Sequence, residues 1–211
     1  MKLPHKTLER NLLKNGYHSI ASVDEVGMAC LAGPVVVCAV LFSKDFFKKK
    51  HKRLHWIRDS KLLLPHQREE FATELMKEVG LKFQTAYCFP RTIDKINIYQ
   101  ASRLAMRRAL AKLSPHRKSV VLVDGPAKIK GIALDQIAVI KGDRKVFAIA
   151  CASVIAKVTR DGMMARYAKR YPKYGFEKHK GYSTELHRTQ LSQHGVCPIH
   201  RRSFAPVAKL L

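Results

Sequence analysis

Residues 20–42 read IASVDEVGMACLAGPVVVCAVLF and carry the most informative pattern in the chain. A short apolar run stops at Asp24 and Glu25, turns through glycines and resumes as a long apolar run over residues 34–42. Two adjacent carboxylates between apolar segments are costly when they are buried without partners. The pattern therefore predicts a core hairpin whose acids are kept for chemistry.

The charge of the chain points to an acidic partner. Its 211 residues fit one domain, spanning 1–211. They include 40 lysines and arginines against 16 aspartates and glutamates, which gives a formal net charge of +24. Such an excess predicts a polyanionic partner, first nucleic acid and then a ribosome or an anionic membrane. A solvated basic surface is the alternative.

The cysteines and the hydropathy pattern bear on compartment. The five cysteines are odd in number and form no CxxC pair, which argues against a disulfide framework and against cysteine-held metal. The charged N-terminus lacks the apolar core of a signal peptide, and no apolar run reaches the roughly 18 residues of a membrane span. We expect a cytoplasmic, soluble protein with no membrane partner, and a monomer.

The order of the apolar runs predicts an α/β fold with a mixed sheet, because three strands come first and the later strands are separated by helices. The predicted strands cover residues 20–26, 34–42, 81–89, 120–123 and 137–140. The predicted helical regions cover residues 1–17, 65–77, 92–113, 146–167 and 184–194, the last within a helical extension over 168–211. The basic stretch at 44–58 is predicted to be a loop.

Four acids stand at or just beyond the ends of predicted strands: Asp24, Glu25, Asp124 and Asp143. Strand ends at one edge of an α/β sheet are where sites are built. Carboxylates that meet at one point repel each other unless cations neutralise them, and Mg²⁺ or Mn²⁺ prefers oxygen ligands. Two such ions about 4 Å apart support in-line hydrolysis of phosphodiesters. The pattern predicts a two-metal site.

Each acid also has an ordinary explanation. Asp124 with Gly125 could form a simple turn, and Asp143 could cap the helix that follows it. Asp24 and Glu25 are neighbours, so in a regular strand they point to opposite faces. One of them must then lie where the strand bends or ends.

These acids belong to a series of ordered motifs by which the chain resembles bacterial ribonuclease HII, the type 2 ribonuclease H. The resemblance runs from about residue 20 to 207. The motifs are VDEVG at 23–27, AGPV at 32–35, DSK at 59–61, INI at 96–98, AM at 105–106, VDG at 123–125, KGD at 141–143, AS at 152–153, AKVTRD at 156–161, HKGY at 179–182 and HRRSF at 200–204.

The resemblance implies a ribonuclease H-like fold, with a five-stranded mixed sheet flanked by helices and a helical C-terminal part. It implies hydrolysis of the RNA strand of RNA–DNA hybrids, and incision at ribonucleotides embedded in DNA, with 3′-hydroxyl and 5′-phosphate products. It thereby implies a part in DNA replication and repair. Carried over position by position, it makes four residues the catalytic ligands of two Mg²⁺ or Mn²⁺ ions: Asp24, Glu25, Asp124 and Asp143.

The resemblance also implies substrate contacts. Tyr182 matches a tyrosine that packs on the sugar at the RNA–DNA junction, where an aromatic ring tolerates any base. Lys61 of the DSK motif matches a phosphate contact. Asp161 follows Lys157 by four residues, so an ion pair on one helix face explains it, and we exclude it from the ligands.

Three histidines need an interpretation of their own. His179, His187 and His200 lie in polar, basic segments. We interpret them as surface or phosphate-side residues, because two-metal hydrolysis needs no histidine base.

The chain departs from the family pattern directly after the paired acids. The family has glycine, a basic residue and glycine, where this chain has Gly27, Met28 and Ala29, followed by Cys30 where proline is common. Met28 lacks the charge for a phosphate contact, and Ala29 restricts positive φ angles. We therefore predict weakened recognition of a single embedded ribonucleotide, unless backbone contacts suffice. The alternative function is a catalytically weak or inactive nucleic-acid-binding protein on the same fold.

Overall fold

The computed structural model describes residues 3–211. Its core is one five-stranded sheet in the order β3-β2-β1-β4-β5. The strands are β1 (Ser19–Val26), β2 (Val35–Ser43), β3 (Leu81–Cys88), β4 (Ser119–Asp124) and β5 (Asp135–Val139). The first three pair antiparallel, and β1, β4 and β5 pair parallel. The predicted mixed sheet is confirmed.

Helices flank the sheet and fill the C-terminal part, as predicted. They are α1 (Thr7–Lys14), α2 (Lys44–Lys48), α3 (Pro65–Lys77), α4 (Pro90–Ile96), α5 (Ile98–Leu113), α6 (Phe147–Arg170), α7 (Phe176–His179), α8 (Glu185–His194) and α9 (Ala205–Ala208). Across residues 3–211, none of these helices combines the length and apolar character needed to cross a membrane. All five cysteines are free and buried.

The sheet separates two apolar cores, and β2 contributes to both. Val36, Cys38 and Val40 pack on the side of α6, whereas Val35 and Val37 pack on the side of α5. Successive side chains of a strand point to opposite faces, so an unbroken apolar run is what a doubly covered strand requires. The long apolar run of the sequence is therefore a central strand, and it places β1 in the middle of the molecule.

Two predicted segments differ in the structure. The basic stretch is not a plain loop, because α2 begins at once and buries Phe46 and Phe47 against Phe42 of β2. The surrounding lysines hide this apolar pair in the sequence. The helical region over 92–113 is two helices, broken at Asn97, which has a φ of 63° and whose side chain accepts a hydrogen bond from the Gln100 amide.

Candidate active site

The parallel strands β1 and β4 stop pairing at one level. Val23 and Val123 are the last paired residues, so Asp24 and Asp124 come next on neighbouring strands. β1 nevertheless stays paired with β2 through Val26. Asp24 and Glu25 therefore lie in regular strand, yet beyond the point where β4 covers them. The expectation that one of these two acids lies where the strand ends is therefore met only for the pairing of β1 with β4, because β1 continues to pair with β2.

Asp24 is the most deeply placed acid of this group. It is 4 % exposed, and its Oδ1 accepts a hydrogen bond of 2.7 Å from the Glu25 amide. Burial raises the pKa of Asp24 well above its ordinary value, and the charges of Glu25, Asp124 and Asp143 raise it further. The nearby hydroxyl of Ser153, on α6, opposes that rise. The carboxylate is thus surrounded by others of its own sign.

Glu25 lies on the opposite side of β1, toward α5. Burial and the charge of Asp124 raise the pKa of Glu25 to about 7, and the charges of Arg103 and Lys61 oppose the rise. Its Oε2 is buried and finds no hydrogen-bond donor within residues 3–211. A buried, unpartnered carboxylate oxygen is the arrangement expected where a cation completes the site.

Asp124 and Asp143 are brought together by a glycine turn. The Gly142 amide donates a 2.6 Å hydrogen bond to Asp124 Oδ1. A Cβ at position 142 would lie 2.5 Å from Ile149 Cδ1 and 3.1 Å from the same Oδ1, so any larger residue there would displace the side chains of Ile149 and Asp124. Burial, Asp59 and Asp124 raise the pKa of Asp143 to about 6.

The ordinary explanations for these acids fare differently. Asp143 lies in a 3₁₀ turn, Gly142–Arg144, and the residue at the N-cap of α6 is Val146, so the capping alternative is wrong. Asp124 does precede a turn, since Gly125 has a φ of 103° and its amide donates to the Val139 carbonyl. That turn is compatible with a site at the same place.

The four acids, hereafter the acidic cluster, are Asp24, Glu25, Asp124 and Asp143. The charges of the other three acids raise the pKa of Asp24, and the charge of Asp124 also raises the pKa values of Glu25 and Asp143, which requires proximity. Over residues 3–211, however, no three aspartate, glutamate, histidine or cysteine side chains are grouped closely enough to enclose a metal ion as they stand. The donor set is all oxygen, which suits Mg²⁺ or Mn²⁺, and a cation would relieve the mutual repulsion. The chemistry of the donor set therefore fits such ions, whereas the present side-chain positions do not enclose one.

Lys61 lies beside the acidic cluster rather than within it. Its side chain is exposed, and its charge lowers the pKa values of Glu25 and Asp143 against the effect of burial. The Lys61 amide donates a 3.0 Å hydrogen bond to Asp59 Oδ1, and Arg144 Nε donates one of 3.0 Å to Asp59 Oδ2. Buried Asp59 therefore joins the DSK motif to the Asp143 turn.

Two buried arginines hold the 27–30 loop. Arg201 donates to the carbonyls of Gly27 and Met28 at 2.6 and 2.9 Å. Gly27 has a φ of 94°, and a Cβ there would lie 2.3 Å from Arg160 Nε, so this position requires glycine. Ala29 is exposed and has no positive φ. The restriction that alanine places on positive φ angles therefore has no effect at position 29, because the loop turns at Gly27 instead.

Tyr182 meets the same loop. An isolated antiparallel bridge joins Tyr182 to Cys30. The ring is half-buried beneath Lys157 Nζ and Arg160 Cζ, which lie 5.4 and 5.7 Å from its centroid. Burial raises the pKa of Tyr182 to about 12, so its hydroxyl is neutral at physiological pH. The two predicted substrate contacts, the loop and the ring, are thus adjacent.

A family model described as Ribonuclease HII matches residues 21–207. The chain belongs to the ribonuclease HII family. It is accordingly a ribonuclease H enzyme. Curated relatives of that name include one from Endomicrobium trichonymphae, 42 % identical over 205 residues, covering 97 % of this chain and 94 % of the relative. Another, from Acholeplasma laidlawii, is 44 % identical over 211 residues and covers 100 % and 99 %.

Solved structures agree with this assignment. The ribonuclease H2 from Pyrococcus horikoshii OT3 is 26 % identical, with a TM-score of 0.71 over 91 % of this chain and 96 % of that one. Bst-RNase HIII in complex with Mn²⁺ has a TM-score of 0.63 at 14 % identity, covering 98 % and 73 %, and shows likeness of fold alone.

The histidines of this ribonuclease HII family member are buried, which corrects the sequence interpretation. His179, His187 and His200 are 7 %, 0 % and 2 % exposed. A carbonyl only accepts, so His187 Nδ1 donates to the Tyr182 carbonyl at 2.9 Å. His187 Nε2 must then accept from His200 Nε2, 3.1 Å away, and His200 Nδ1 accepts from the Cys197 amide.

This network fixes every ring in one neutral tautomer. His179 Nε2 donates to the Tyr174 carbonyl, and its Nδ1 accepts from the Gly181 amide. Burial lowers the pKa values of His187 and His200 to about 4. The charge of His179 lowers the pKa of His187 further, and the charges of His187 and His179 lower that of His200. The histidines therefore hold the backbone of residues 181–182 and have no phosphate-side position.

Asp161 lies where the sequence predicted. Its Oδ1 accepts a 2.8 Å hydrogen bond from Lys157 Nζ, which confirms the helical ion pair, and Arg68 approaches it at 3.9 Å. A cavity of about 600 Å³ opens beside this pair and Tyr182. Sequence reasoning missed the site roles of Asp59, Arg103 and Arg201. The DSK and HRRSF motifs were the available signals for two of these residues.

Proposed function

We propose that the chain is a metal-dependent endoribonuclease that hydrolyses the RNA strand of RNA–DNA hybrids and incises DNA at embedded ribonucleotides. The observation that carries this proposal is the convergence of four acids, from β1, β4 and the Gly142 turn, on one edge of the sheet. The net charge of +24 supports a polyanionic substrate, because an acidic cluster alone would repel it.

The acidic cluster would hold two divalent ions, Mg²⁺ or Mn²⁺. When bound, such ions activate a water molecule and stabilise the leaving oxygen of an in-line displacement, giving 3′-hydroxyl and 5′-phosphate ends. The likeness of fold to Bst-RNase HIII, solved in complex with Mn²⁺, supports a divalent ion here. The buried, unpartnered Oε2 of Glu25 is the oxygen that most needs such a partner.

The surrounding residues prepare the acids for this role. The Gly142 amide fixes one oxygen of Asp124 and leaves the other free. Arg103 and Lys61 favour the ionised form of Glu25, which is the form that binds a cation. Lys61 is exposed beside the cluster and is suited to contact a substrate phosphate.

Substrate recognition would fall to the 27–30 loop and Tyr182. Arg201 engages the carbonyls of Gly27 and Met28, and the Cys30 amide donates to the Gly27 carbonyl. The amides of Met28 and Ala29 are therefore the backbone groups of the loop that would meet a ribose hydroxyl. That hydroxyl is what distinguishes RNA from DNA at a given site. The Tyr182 ring would pack on the neighbouring sugar, independently of base sequence.

Asp124→Asn tests the proposal. The variant keeps an oxygen for the Gly142 amide, so we expect an intact fold and unchanged binding of a hybrid, with divalent-dependent cleavage lost. The wild type should cut substrates that contain one, four or only ribonucleotides, and labelled ends should show 3′-hydroxyl and 5′-phosphate. A wild type that binds hybrids and cleaves none, with any divalent ion, would favour the nucleic-acid-binding alternative.

A further inference from the structure

A second concentration of charge lies away from the acidic cluster. A cleft of about 420 Å³ opens between α1, the segment after α2 and the first residue of α6. Its cationic lining residues, hereafter the basic cleft, are Lys6, Arg10, Lys49 and Lys50. Three histidines also line it, and no aspartate or glutamate does. The cleft is therefore cationic throughout.

One of these cations is held in place without a carboxylate partner. Lys6 Nζ lies 4.2 Å from the centroid of the Phe147 ring and 5.3 Å from that of Phe46. Burial lowers the pKa of Lys6, and the charge of Arg10 lowers it further. Among residues 3–211 Lys6 forms no ion pair. Half-buried positive charge without a counterion is unfavourable unless a ligand supplies one.

The acids closest to the cleft are engaged by other groups, one by a backbone amide and one by His51 of the lining. Glu9 is fully buried beneath it, where its Oε1 accepts a hydrogen bond of 2.8 Å from the Ala148 amide. Burial raises the pKa of Glu9, which favours its neutral form. Glu78 approaches His51 Nδ1 at 3.8 Å. Both charges raise the pKa of Lys6 in part, but over residues 3–211 neither carboxylate forms an ion pair with the lysines or the arginine of the cleft.

The cleft is tied to the acidic cluster through the backbone. His5, on its rim, forms a parallel bridge with Val146, and its amide donates to the Lys145 carbonyl at 3.2 Å. Val146 follows Asp143 by three residues. At about 3.5 Å per residue plus about 5 Å for the bridge, the rim lies within roughly 16 Å of Asp143. A duplex rises about 3.4 Å per base pair, so this span corresponds to at most about five base pairs.

We propose that the basic cleft binds backbone phosphates of the nucleic acid up to about five base pairs from the bond that is cut. This inference rests on the proposed function and assigns a second contact to the same substrate. Arg10 can grip a phosphate with two parallel hydrogen bonds, and exposed Lys49 and Lys50 supply point charges at the mouth.

Salt dependence of binding tests the cleft without any cleavage. The variant Lys6→Met/Lys49→Gln/Lys50→Gln removes three charges and keeps the apolar stem over Phe147. A matched control, Lys112→Gln/Lys169→Gln/Lys173→Gln, removes three exposed charges elsewhere. With a long hybrid and no divalent ion, each lost phosphate contact lowers the slope of log affinity against log salt by about 0.9. We expect a fall of about 2 to 3 for the cleft variant and below about 1 for the control.

The length of the duplex provides the second readout. Each substrate has one cleavable linkage with a duplex arm on either side. The length of each arm is set separately to about three or about ten base pairs. The cleft variant should lose cleavage efficiency by about 10-fold on substrates with the long arm on one particular side, and should match the wild type when that arm is short. Equal losses on all arms, or equal salt slopes for variant and control, would overturn the proposal.

Two further arms separate other failures. If the triple variant unfolds, as shown by its circular dichroism melt, Lys49→Gln/Lys50→Gln replaces it, because both side chains are exposed. That double variant should show about two thirds of the change in slope. A wild type without divalent-dependent cleavage would contradict the proposed function. The salt dependence of binding would still test whether the basic cleft contacts phosphates, because that assay requires no cleavage.

Discussion

The guanidinium of Arg201 donates a 2.6 Å hydrogen bond to the carbonyl of Gly27, which lies 174 residues earlier in the chain. The same group binds the carbonyls of Met28 and Gly33 and is fully buried. Its pKa is lowered to about 10 by burial, so it remains charged at neutral pH. The C-terminal segment thus fixes the loop that follows the paired acids.

Arg201→Met should destabilise the fold by about 3 kcal/mol or more, because three buried carbonyls lose a charged donor. Arg201→Lys should recover only part of this loss, since an ammonium cannot match the fork of donors. Urea unfolding provides the measurement. The neighbouring exposed side chain of Arg202 offers the control, and Arg202→Met should change stability by less than about 0.5 kcal/mol. Equal effects at both positions would contradict the role assigned to Arg201.

The 27–30 loop gives a prediction about substrate preference. Met28→Arg should raise cleavage at a single embedded ribonucleotide relative to a long hybrid, because it adds a phosphate contact. Ala29→Gly alone should change little, since Ala29 has no positive φ to relieve. Cleavage rates of the two substrates by wild type, both single variants and the double variant provide the measurement. Strong and equal wild-type rates on both substrates would show that this loop lacks no contact.

Tyr182 should act through its ring and not through its hydroxyl. Its pKa of about 12 keeps the hydroxyl protonated near neutral pH, so it cannot act there as a base. Tyr182→Phe should therefore retain most activity, whereas Tyr182→Ala should lose about 10- to 100-fold, in line with the usual contribution of stacking. Single-turnover rates at saturating enzyme separate the two variants. Loss of activity in Tyr182→Phe would assign the function to the hydroxyl.

The buried histidines predict a specific pH dependence of stability. Their pKa values fall from 6.5 to about 4 on folding, so below about pH 6.5 the unfolded state binds more protons. The contribution of these rings to the free energy of unfolding is complete above pH 6.5. It is lost as the pH falls toward 4, by on the order of 3 kcal/mol for one ring. The acidic cluster has raised pKa values, so its effect on stability has the opposite dependence on pH. The contribution of the histidines must therefore be measured as a difference between the wild type and histidine variants.

His187→Gln/His200→Gln isolates this contribution. The wild type should be the more stable protein at pH 7.5, and its advantage should shrink between pH 6.5 and 4 in urea titrations. His66→Gln, at an exposed position, should leave the pH dependence unchanged. An advantage that stays constant over this range would mean that the rings are protonated when folded.

The acidic cluster should destabilise the protein when no divalent ion is present. Asp124 contributes to the raised pKa of Glu25, so Asp124→Asn should raise the melting temperature at pH 8 in a chelator, by about 2–4 °C per kcal/mol of relieved repulsion. Added Mg²⁺ should stabilise the wild type more than this variant. Asp161→Asn breaks the pair with Lys157 and should instead lower the melting temperature. Equal Mg²⁺ effects on wild type and Asp124→Asn would contradict a metal site at Asp124.

The strands were predictable because each contains an apolar run, although β5 begins two residues before its run, at Asp135, and ends one residue earlier, at Val139. The same correspondence located Asp24 and Asp124, which follow the last paired valines of β1 and β4. Helix α2 was missed because lysines surround its two buried phenylalanines. The break at Asn97 depends on a single backbone angle, which no apolar pattern records.

Long-range polar contacts were beyond sequence reasoning. The burial of His187 depends on α8 packing its polar ring against His200 and Tyr182, and polar neighbours in the sequence suggest the opposite. Arg201 looked like one more basic residue of a basic chain, although its partners lie in the first strand connection. Composition identifies the charge of such residues and leaves their partners unspecified.

The bridge between Cys30 and Tyr182 has a geometric consequence. It joins the backbone of the segment after the paired acids to the backbone of the residue that carries the aromatic ring. The two can move apart only if this bridge is broken. The distance between the loop and the Tyr182 ring is therefore fixed for any nucleic-acid strand that lies across both. A nucleic-acid backbone whose sugar pucker alters the phosphate spacing would fit both contacts in only one register. The position of the cut would then depend on the distance between the two contacts as well as on the chemistry of the site.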